Sequence, residues 1–262
     1  MPVEYVVALA VLGLLAGCFG ALVGLGGGII IVPVLTLLFD LPMQTAVGTS
    51  LVCVIATSSA AAAVYVQREL TDIRLGMVLE MSTVLGAITG AVAVMWLSQP
   101  TLQILFSAFL LYASLLLARR RPAPEASGRE IPAYQVRNYP LGMGVSYLAG
   151  TVSGMLGIGG GPIKVPLMYL AMGVPLRVAT ATSNFMIGVT AAASAFLYYN
   201  RGSVVPALTA PLVLGVFAGA LLGSWLTKRV QARWVQWLLM VVLLYLAYQM
   251  LRDALGVTGG NG

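Results

Sequence analysis

The sequence predicts an all-α, polytopic membrane protein made of two inverted repeats with glycine-broken or re-entrant helices, some eight to ten membrane segments in all. Three observations lead there. Of 262 residues, 60% are apolar and only 8% charged, against roughly 25% charged in a soluble domain, so the chain cannot clothe a water-facing surface. The 30 Gly and 13 Pro suit closely packed and interrupted helices rather than the alternating strands of an outer-membrane barrel. The chain also matches itself at a fixed offset, described below.

The apolar stretches are residues 3–39, 43–66, 73–97, 102–118, 139–172, 178–199, 204–227 and 234–251. Most approach the ~20 residues that a hydrocarbon core requires. The first lacks the basic flank of a signal peptide and is expected to be a retained span. Leu15-Ala16-Gly17-Cys18 resembles a lipoprotein cleavage box, yet without that flank Cys18 reads as a small residue in a Gly-rich helix. Two stretches, 3–39 and 139–172, are too long for one straight helix, and each is interrupted by glycines, at Gly24 to Gly28 and at Gly157 to Gly161.

Basic residues decide whether these interrupted stretches cross once or turn back. With the solvated, Pro- and Arg-rich segment 119–137 placed in the cytoplasm, turning back puts eleven basic residues inside and two, Arg201 and Arg252, outside, Lys164 being embedded. Single crossings give nine against four. The positive-inside rule favours the hairpins. Five passes per half then invert the second half relative to the first, with residues 1–118 and 138–262 as the repeats and 119–137 as a cytoplasmic linker. The returning arm, residues 29–39, spans only about 16 Å at helical rise and is expected to be partly unwound.

A shift of 133 positions lays Gly24-Leu25-Gly26-Gly27-Gly28 on Gly157-Ile158-Gly159-Gly160-Gly161 and Pro33 on Pro166. The register continues without a gap. Pro42 meets Pro175, Thr49-Ser50 meets Thr182-Ser183, Thr57 meets Thr190, Tyr65 meets Tyr198 and Arg68 meets Arg201. Duplicated halves with interrupted segments at matching places are a secondary-transporter pattern. Backbone N–H groups freed at a break attract anions, and lipid tolerates them only where they are buried in protein or line a wet cavity.

At these motifs the chain resembles the TauE/SafE family of sulfite exporters and related permeases. The resemblance rests on the two GxGGG clusters with Pro33 and Val165-Pro166, and on Gly48-Thr49-Ser50 and Ala181-Thr182-Ser183-Asn184. It implies transport of sulfite or another small organosulfur or organic anion across the inner (plasma) membrane.

The expected substrate-binding residues are Gly24, Gly26, Gly27, Gly28, Thr49, Ser50, Gly157, Gly159, Gly160, Gly161, Lys164, Thr182, Ser183 and Asn184. Four glycines in five positions would weaken a helix by about 1 kcal/mol each, so a break is their purpose. A dinucleotide reading of them fails for want of a strand–helix context. Asn184 has only Leu51 opposite it in the repeat, which makes the site asymmetric. Lys164 replaces Ile31 and must face water, a carboxylate or the substrate, or else snorkel to an interface. Glu80 is expected to pair with Arg74 or reach the interface, with proton coupling as its functional alternative. Gly13/Gly17, Gly20/Gly24, Gly86/Gly90 and Gly219/Gly223 read as packing glycines. Asp40 reads as a turn residue, residues 56–63 as a small-residue packing face, and Trp225, Trp234 and Trp237 as interfacial anchors.

With no His and two Cys, histidine catalysis, zinc clusters and disulfide frameworks are set aside, as is any enzyme needing a nucleophile–base pair. No cofactor, metal or nucleic acid is expected; the partners are a small anion, the bilayer and protons. The rival readings are an anion channel and a membrane assembly or sensing protein of sulfur metabolism.

Overall fold

The computed structural model describes residues 3–23, 27–119, 134–226 and 232–256. Among the described residues ten α-helices follow one another: α1 Val3–Val23, α2 Gly28–Leu38, α3 Met43–Gln67, α4 Ile73–Ala93, α5 Gln99–Arg119, α6 Tyr139–Leu156, α7 Gly161–Pro166, α8 Leu176–Asn200, α9 Pro206–Leu226 and α10 Ala232–Ala254. A short 3-10 turn, Val94–Trp96, follows α4, and a π-turn, Leu167–Ala171, follows α7. Among the described residues there is no strand.

The 133-residue offset runs through these boundaries. Helices α3 and α8 are both 25 residues long, enter after Pro42 and Pro175 in the same extended conformation, and stop at Arg68 and Arg201 in the same bridge conformation. Each proline fixes its own φ and cannot donate, which suits the residue just before a helix. Helices α4 and α9 are both 21 residues long and start 133 positions apart. The 11 residues of α2 match α7 plus its π-turn. Contrary to expectation, α2 is helical throughout and not unwound. Its residues from Gly28 to Pro33 are all buried, so close packing keeps the turns around Pro33 together. In the other arm α7 lasts six residues before it widens into the π-turn.

Among the described residues six helices are long and apolar enough to cross a membrane, in α1, α3, α4, α5, α9 and α10. Helix α8 is as long as α3 but turns Thr182, Ser183, Asn184, Thr190 and Ser194 inward, which lowers its hydropathy while its outer face, with Phe196 and Tyr199, stays exposed. Leu170, Leu214, Met81 and Trp237 are also more than half exposed; on a molecule in lipid, such residues form the outer surface.

Glycines set the helix pairing. A Cβ on Gly13 would collide with the Leu212 carbonyl oxygen and one on Gly17 with that of Val216, while Gly215, Gly219 and Gly223 press on Ala10, Leu14 and Cys18. Residue numbers rise together, so α1 and α9 run parallel. Gly86 and Gly90 meet Tyr147 and Thr151, and Gly150 and Gly154 meet Thr83 and Ala87, so α4 and α6 are parallel in the same manner. Neither backbone could come this close past a side chain. The first pair is the repeat image of the second. Helix α3 instead crosses α8 antiparallel, with Gly48 against Tyr198 and Ser58 against Gly188, and α5 packs on α10. The packing role read for Gly13, Gly17, Gly86, Gly90, Gly219 and Gly223 is thus observed.

Asp40 has φ 50°, the left-handed conformation of a turn residue. Gly24, Gly26 and the side chains of Trp225 and Trp234 lie outside the described residues.

Candidate functional site

The two glycine breaks meet. A Cβ on Gly28 would collide with the Gly157 carbonyl oxygen and fall 2.7 Å from Ser50 Oγ. Ser50 Oγ donates to that same carbonyl at 2.9 Å, a bond from α3 across to the second break. In the second break Gly157, Gly159 and Gly160 have φ of 72°, 88° and 72°, a region where a Cβ costs roughly 1–2 kcal/mol per residue. Gly27 and Gly28 are needed for another reason: Gly27 has an ordinary φ of −65°, and it is close approach that excludes a side chain at Gly28.

The backbone of the second break is buried and under-used. Ile158, Gly159, Gly160 and Gly161 are all buried. The Gly157 N–H donates to Ser153 and those of Ile163 and Lys164 to Gly160, but the N–H groups of residues 158–161 have no acceptor among the described residues. Buried amides are paired in more than nine cases of ten. A run of four without partners is a local excess of positive dipole, the arrangement that draws anions.

Lys164 stands one turn further on. It is fully buried, and its Cε lies 3.5 Å from where a Gly160 Cβ would sit, so its stem lies along the break. Its Nζ donates to Thr190 Oγ1 at 3.0 Å and reaches Glu80 Oε2 at 3.5 Å. Thr190 Oγ1 in turn approaches Glu80 Oε1 at 2.5 Å and the Met186 carbonyl at 3.1 Å. Glu80 is 6% exposed. This corrects the expectation for Glu80, which neither pairs with Arg74 nor reaches an interface. Lys164, for its part, does not snorkel; of the partners open to it, the carboxylate is the one it finds. An ammonium this deep needs a counter-charge, and α4 supplies one that local sequence reading could not pair with it.

The hydroxyls and the amide after each break take several parts. Thr182 Oγ1 accepts from the Asp72 N–H at 2.9 Å, so it serves the α4 N-terminus. Asn184 Nδ2 donates back to Thr180 O at 2.9 Å, and its backbone carbonyl accepts from Ser58 Oγ. Thr49 Oγ1 and Ser183 Oγ are buried without a partner among the described residues. The Ser58 contact, with Gly188 against it, agrees with the small-residue face read for residues 56–63.

A cluster that sequence reasoning missed closes one end. Asp72 caps α4 by accepting from Leu75 N at 2.9 Å, and Tyr134 Oη donates to Asp72 Oδ2 at 2.8 Å. Burial, then the Asp72 bond and charge, push the Tyr134 hydroxyl above the usual tyrosine range. The Arg137 N–H and Asn138 Nδ2 donate to the carbonyls of Met172 and Ala171. The last residues of the predicted linker are therefore tied to α4 and the π-turn.

An open groove of about 680 Å³ between α1 and α2, lined by Val3, Val7, Val11, Val34 and Leu38, is apolar and belongs to the outer surface. Among the described residues no group of acidic, Cys or His side chains could hold a metal ion.

A helical bundle apolar on its outside, with a buried charge pair beside a glycine break, has the build of a multi-pass membrane transporter. The chain belongs to the family described as Sulfite exporter TauE/SafE, whose sequence profile matches residues 9–250. It is 31% identical over 268 residues to the probable membrane transporter protein YunE of Bacillus subtilis, covering 95% of this chain and 98% of that one. It is 26% identical to a probable membrane transporter protein of Methanocaldococcus jannaschii, over 90% and 91% of the two chains. A shorter match, 33% identical over 37% of this chain and 20% of the other, is to Sulfite exporter TauE/SafE family protein 3 of Arabidopsis thaliana. No solved structure matches the chain.

Proposed function

We propose that this transporter carries a small anion, sulfite or a related organosulfur or organic anion, by alternating access at a central site where the two breaks face each other, in the inner (plasma) membrane. The observation that carries the reading is the run of four unpartnered, buried amides at residues 158–161 lying against the stem of a fully buried Lys164. Gly28 and Ser50 form the opposite wall, and the unpartnered hydroxyls of Thr49 and Ser183 are further donors. Gly24, Gly26 and Thr182 stay in the proposed site through the repeat that pairs them with Gly157, Gly159 and Thr49, and Asn184 by its place beside Ser183.

Residues 1–118 and 138–262 act in this reading as inverted repeats joined by the cytoplasmic linker 119–137. The antiparallel crossing of α3 and α8, repeat images of each other, supports inversion: a two-fold axis along the membrane normal would make them parallel. Tight contact between Gly28 and Gly157 favours a closed carrier over a channel, since an open pore would hold the breaks apart. Glu80 is the proposed proton-coupling carboxylate.

The test is uptake into liposomes carrying the purified protein, with labelled sulfite, thiosulfate, methanesulfonate and acetate offered singly. Saturable uptake of at least one, with counterflow against the same anion inside, is expected. Non-saturating flux without counterflow would indicate a channel, and no flux of any would remove the reading.

A further inference from the structure

We propose that Glu80 and the transported anion take turns as the counter-charge of Lys164, so that each anion enters the site only as a proton enters Glu80. The proposal rests on the carrier reading above and adds its coupling rule.

Three features of the geometry support an exchange over a fixed ion pair. First, the Lys164 ammonium has three N–H donors and two oxygens, Thr190 Oγ1 at 3.0 Å and Glu80 Oε2 at 3.5 Å. The carboxylate, the partner that balances its charge, is the more distant, at the outer edge of hydrogen-bond distance. One donor is left for a ligand. Second, the stem of Lys164 lies on Gly160, so the ammonium and the free amides of 158–161 belong to one wall. An anion on those amides competes directly with Glu80. Third, Thr190 can serve either state. With Glu80 ionised, the hydroxyl donates to Glu80 Oε1 and accepts from Lys164; with Glu80 protonated, the carboxyl O–H donates to Thr190 Oγ1 and the threonine hydrogen turns to the Met186 carbonyl, 3.1 Å away. The Thr190 hydroxyl and the Glu80 carboxyl O–H are thus satisfied in either arrangement.

Charge balance makes the two states exclusive. A buried ammonium tolerates one counter-charge; none leaves +1 and two leave −1 in a medium of low dielectric, and both are heavily penalised. The step is Glu80 carboxylate plus a proton giving the carboxylic acid, with the anion taking the vacated place on Lys164. One O–H bond forms, and the site is neutral before and after. A singly charged anion therefore crosses with one proton, electroneutrally.

Among the described residues no other titratable group facing Glu80 competes for this role. Around α4 and α7 pack α6, α8 and the π-turn. Helix α6 brings Tyr139 and Tyr147, and the π-turn brings Tyr169, all facing outward with 42%, 39% and 48% exposure. Helix α8 brings Arg177 at its start, Tyr198, whose hydroxyl donates to Gly154, and Arg201, whose guanidinium donates to Ala91. At the matching places of the other repeat stand Ile31, Val213 and Thr57, which cannot make the exchange.

The experiment uses the whole chain in liposomes, with labelled sulfite and methanesulfonate as probes, a trapped dye reading lumen pH, and a potassium gradient with valinomycin setting the voltage. Wild-type uptake of methanesulfonate should acidify the lumen, collapse when the pH gradient is removed and ignore the voltage. E80Q mimics the protonated acid permanently, so it should keep anion-for-anion exchange while losing accumulation driven by the pH gradient. K164Q should lose both. Because E80Q strands a buried charge and can fail to fold, T190V gives a second route: both charges stay, and proton-driven accumulation should slow by about tenfold, one factor of ten in a rate constant, while exchange persists. Voltage-driven wild-type uptake without acidification, or either E80Q or T190V behaving as wild type in both assays, overturns the exchange and leaves the carrier reading standing. A folded wild type that moves neither probe overturns both.

Discussion

Replacing the charge pair with the residues that the repeat carries at the matching places, E80V/K164I, should leave the protein folded and stable yet unable to accumulate anions. Either replacement alone strands a charge in the interior. With Lys164 fully buried and the Glu80 side chain 8% exposed, water offers little relief. The group left behind can lose its charge instead, which at pH 7 costs about 4 kcal/mol for an ordinary carboxyl and about 5 kcal/mol for an ordinary lysine ammonium. These figures cap the penalty, about 4 kcal/mol for K164I and about 5 for E80V, and they agree with the roughly 3–5 kcal/mol found when one partner of a buried pair is removed. The double variant removes both charges, and apolar replacement of a buried pair is often neutral or favourable. Against that, the smaller valine side chain in place of Glu80 leaves a void of a methylene or two, worth about 1 kcal/mol. The net change should stay within about 1 kcal/mol, so that the coupling between the sites is several kcal/mol. Thermal unfolding of the four proteins in one detergent measures it. Additive destabilisation, with the double variant worse than either single, would refute the described pairing; a double variant that still accumulates anion would refute its use.

Other outcomes follow from the same contacts. G90V should disrupt the α4–α6 contact, since a Cβ there would collide with the Thr151 carbonyl oxygen and backbone cannot step aside; a loss of about 1–3 kcal/mol in detergent melts is expected. G202A and G157A both place Ala at φ near 70°, but Gly202 has open space while a Cβ on Gly157 would lie 3.0 Å from Val47 O. G202A should therefore cost about 1 kcal/mol of backbone strain and G157A clearly more, and equal melting shifts would contradict the close approach. S50A should cost about 1–3 kcal/mol by leaving the buried Gly157 carbonyl without its partner. The raised ionisation of Tyr134 means that its stabilising contribution is whole below the ordinary tyrosine value of about 10 and is lost as pH climbs through the higher folded value. Y134F should accordingly flatten the alkaline limb of the stability–pH curve, and an unchanged limb would count against the Asp72 bond.

The helices, the second break and the repeat were legible in the sequence because each rests on local chemistry: apolar run length, clustered glycines, and a Pro–Thr-Ser–Arg pattern recurring at one offset. The charge pair was not legible in the same way. Glu80 and Lys164 are 84 positions apart, and Arg74 offered a nearer partner on the same helix. A clue was present, however: each charge stands where the other repeat has an apolar residue, Val213 for Glu80 and Ile31 for Lys164. Two such departures from the repeat are what a pair in contact would produce. The helical state of α2 escaped prediction because its short reach, about 16 Å at helical rise, suggests partial unwinding, whereas burial of residues 28–33 decides otherwise. Tyr134 carried no signal at all, since a single aromatic in a polar linker has no periodicity to place it.

Transport by this site requires an anion lying between the amides of residues 158–161 and the Lys164 ammonium. Crystals of the protein soaked in selenite, an electron-rich analogue of sulfite, would locate it by anomalous scattering. A peak within hydrogen-bond distance of those amides in the wild type, gone in K164Q, is the result predicted here. A peak elsewhere in the bundle, or one that survives in K164Q with equal height, would contradict it.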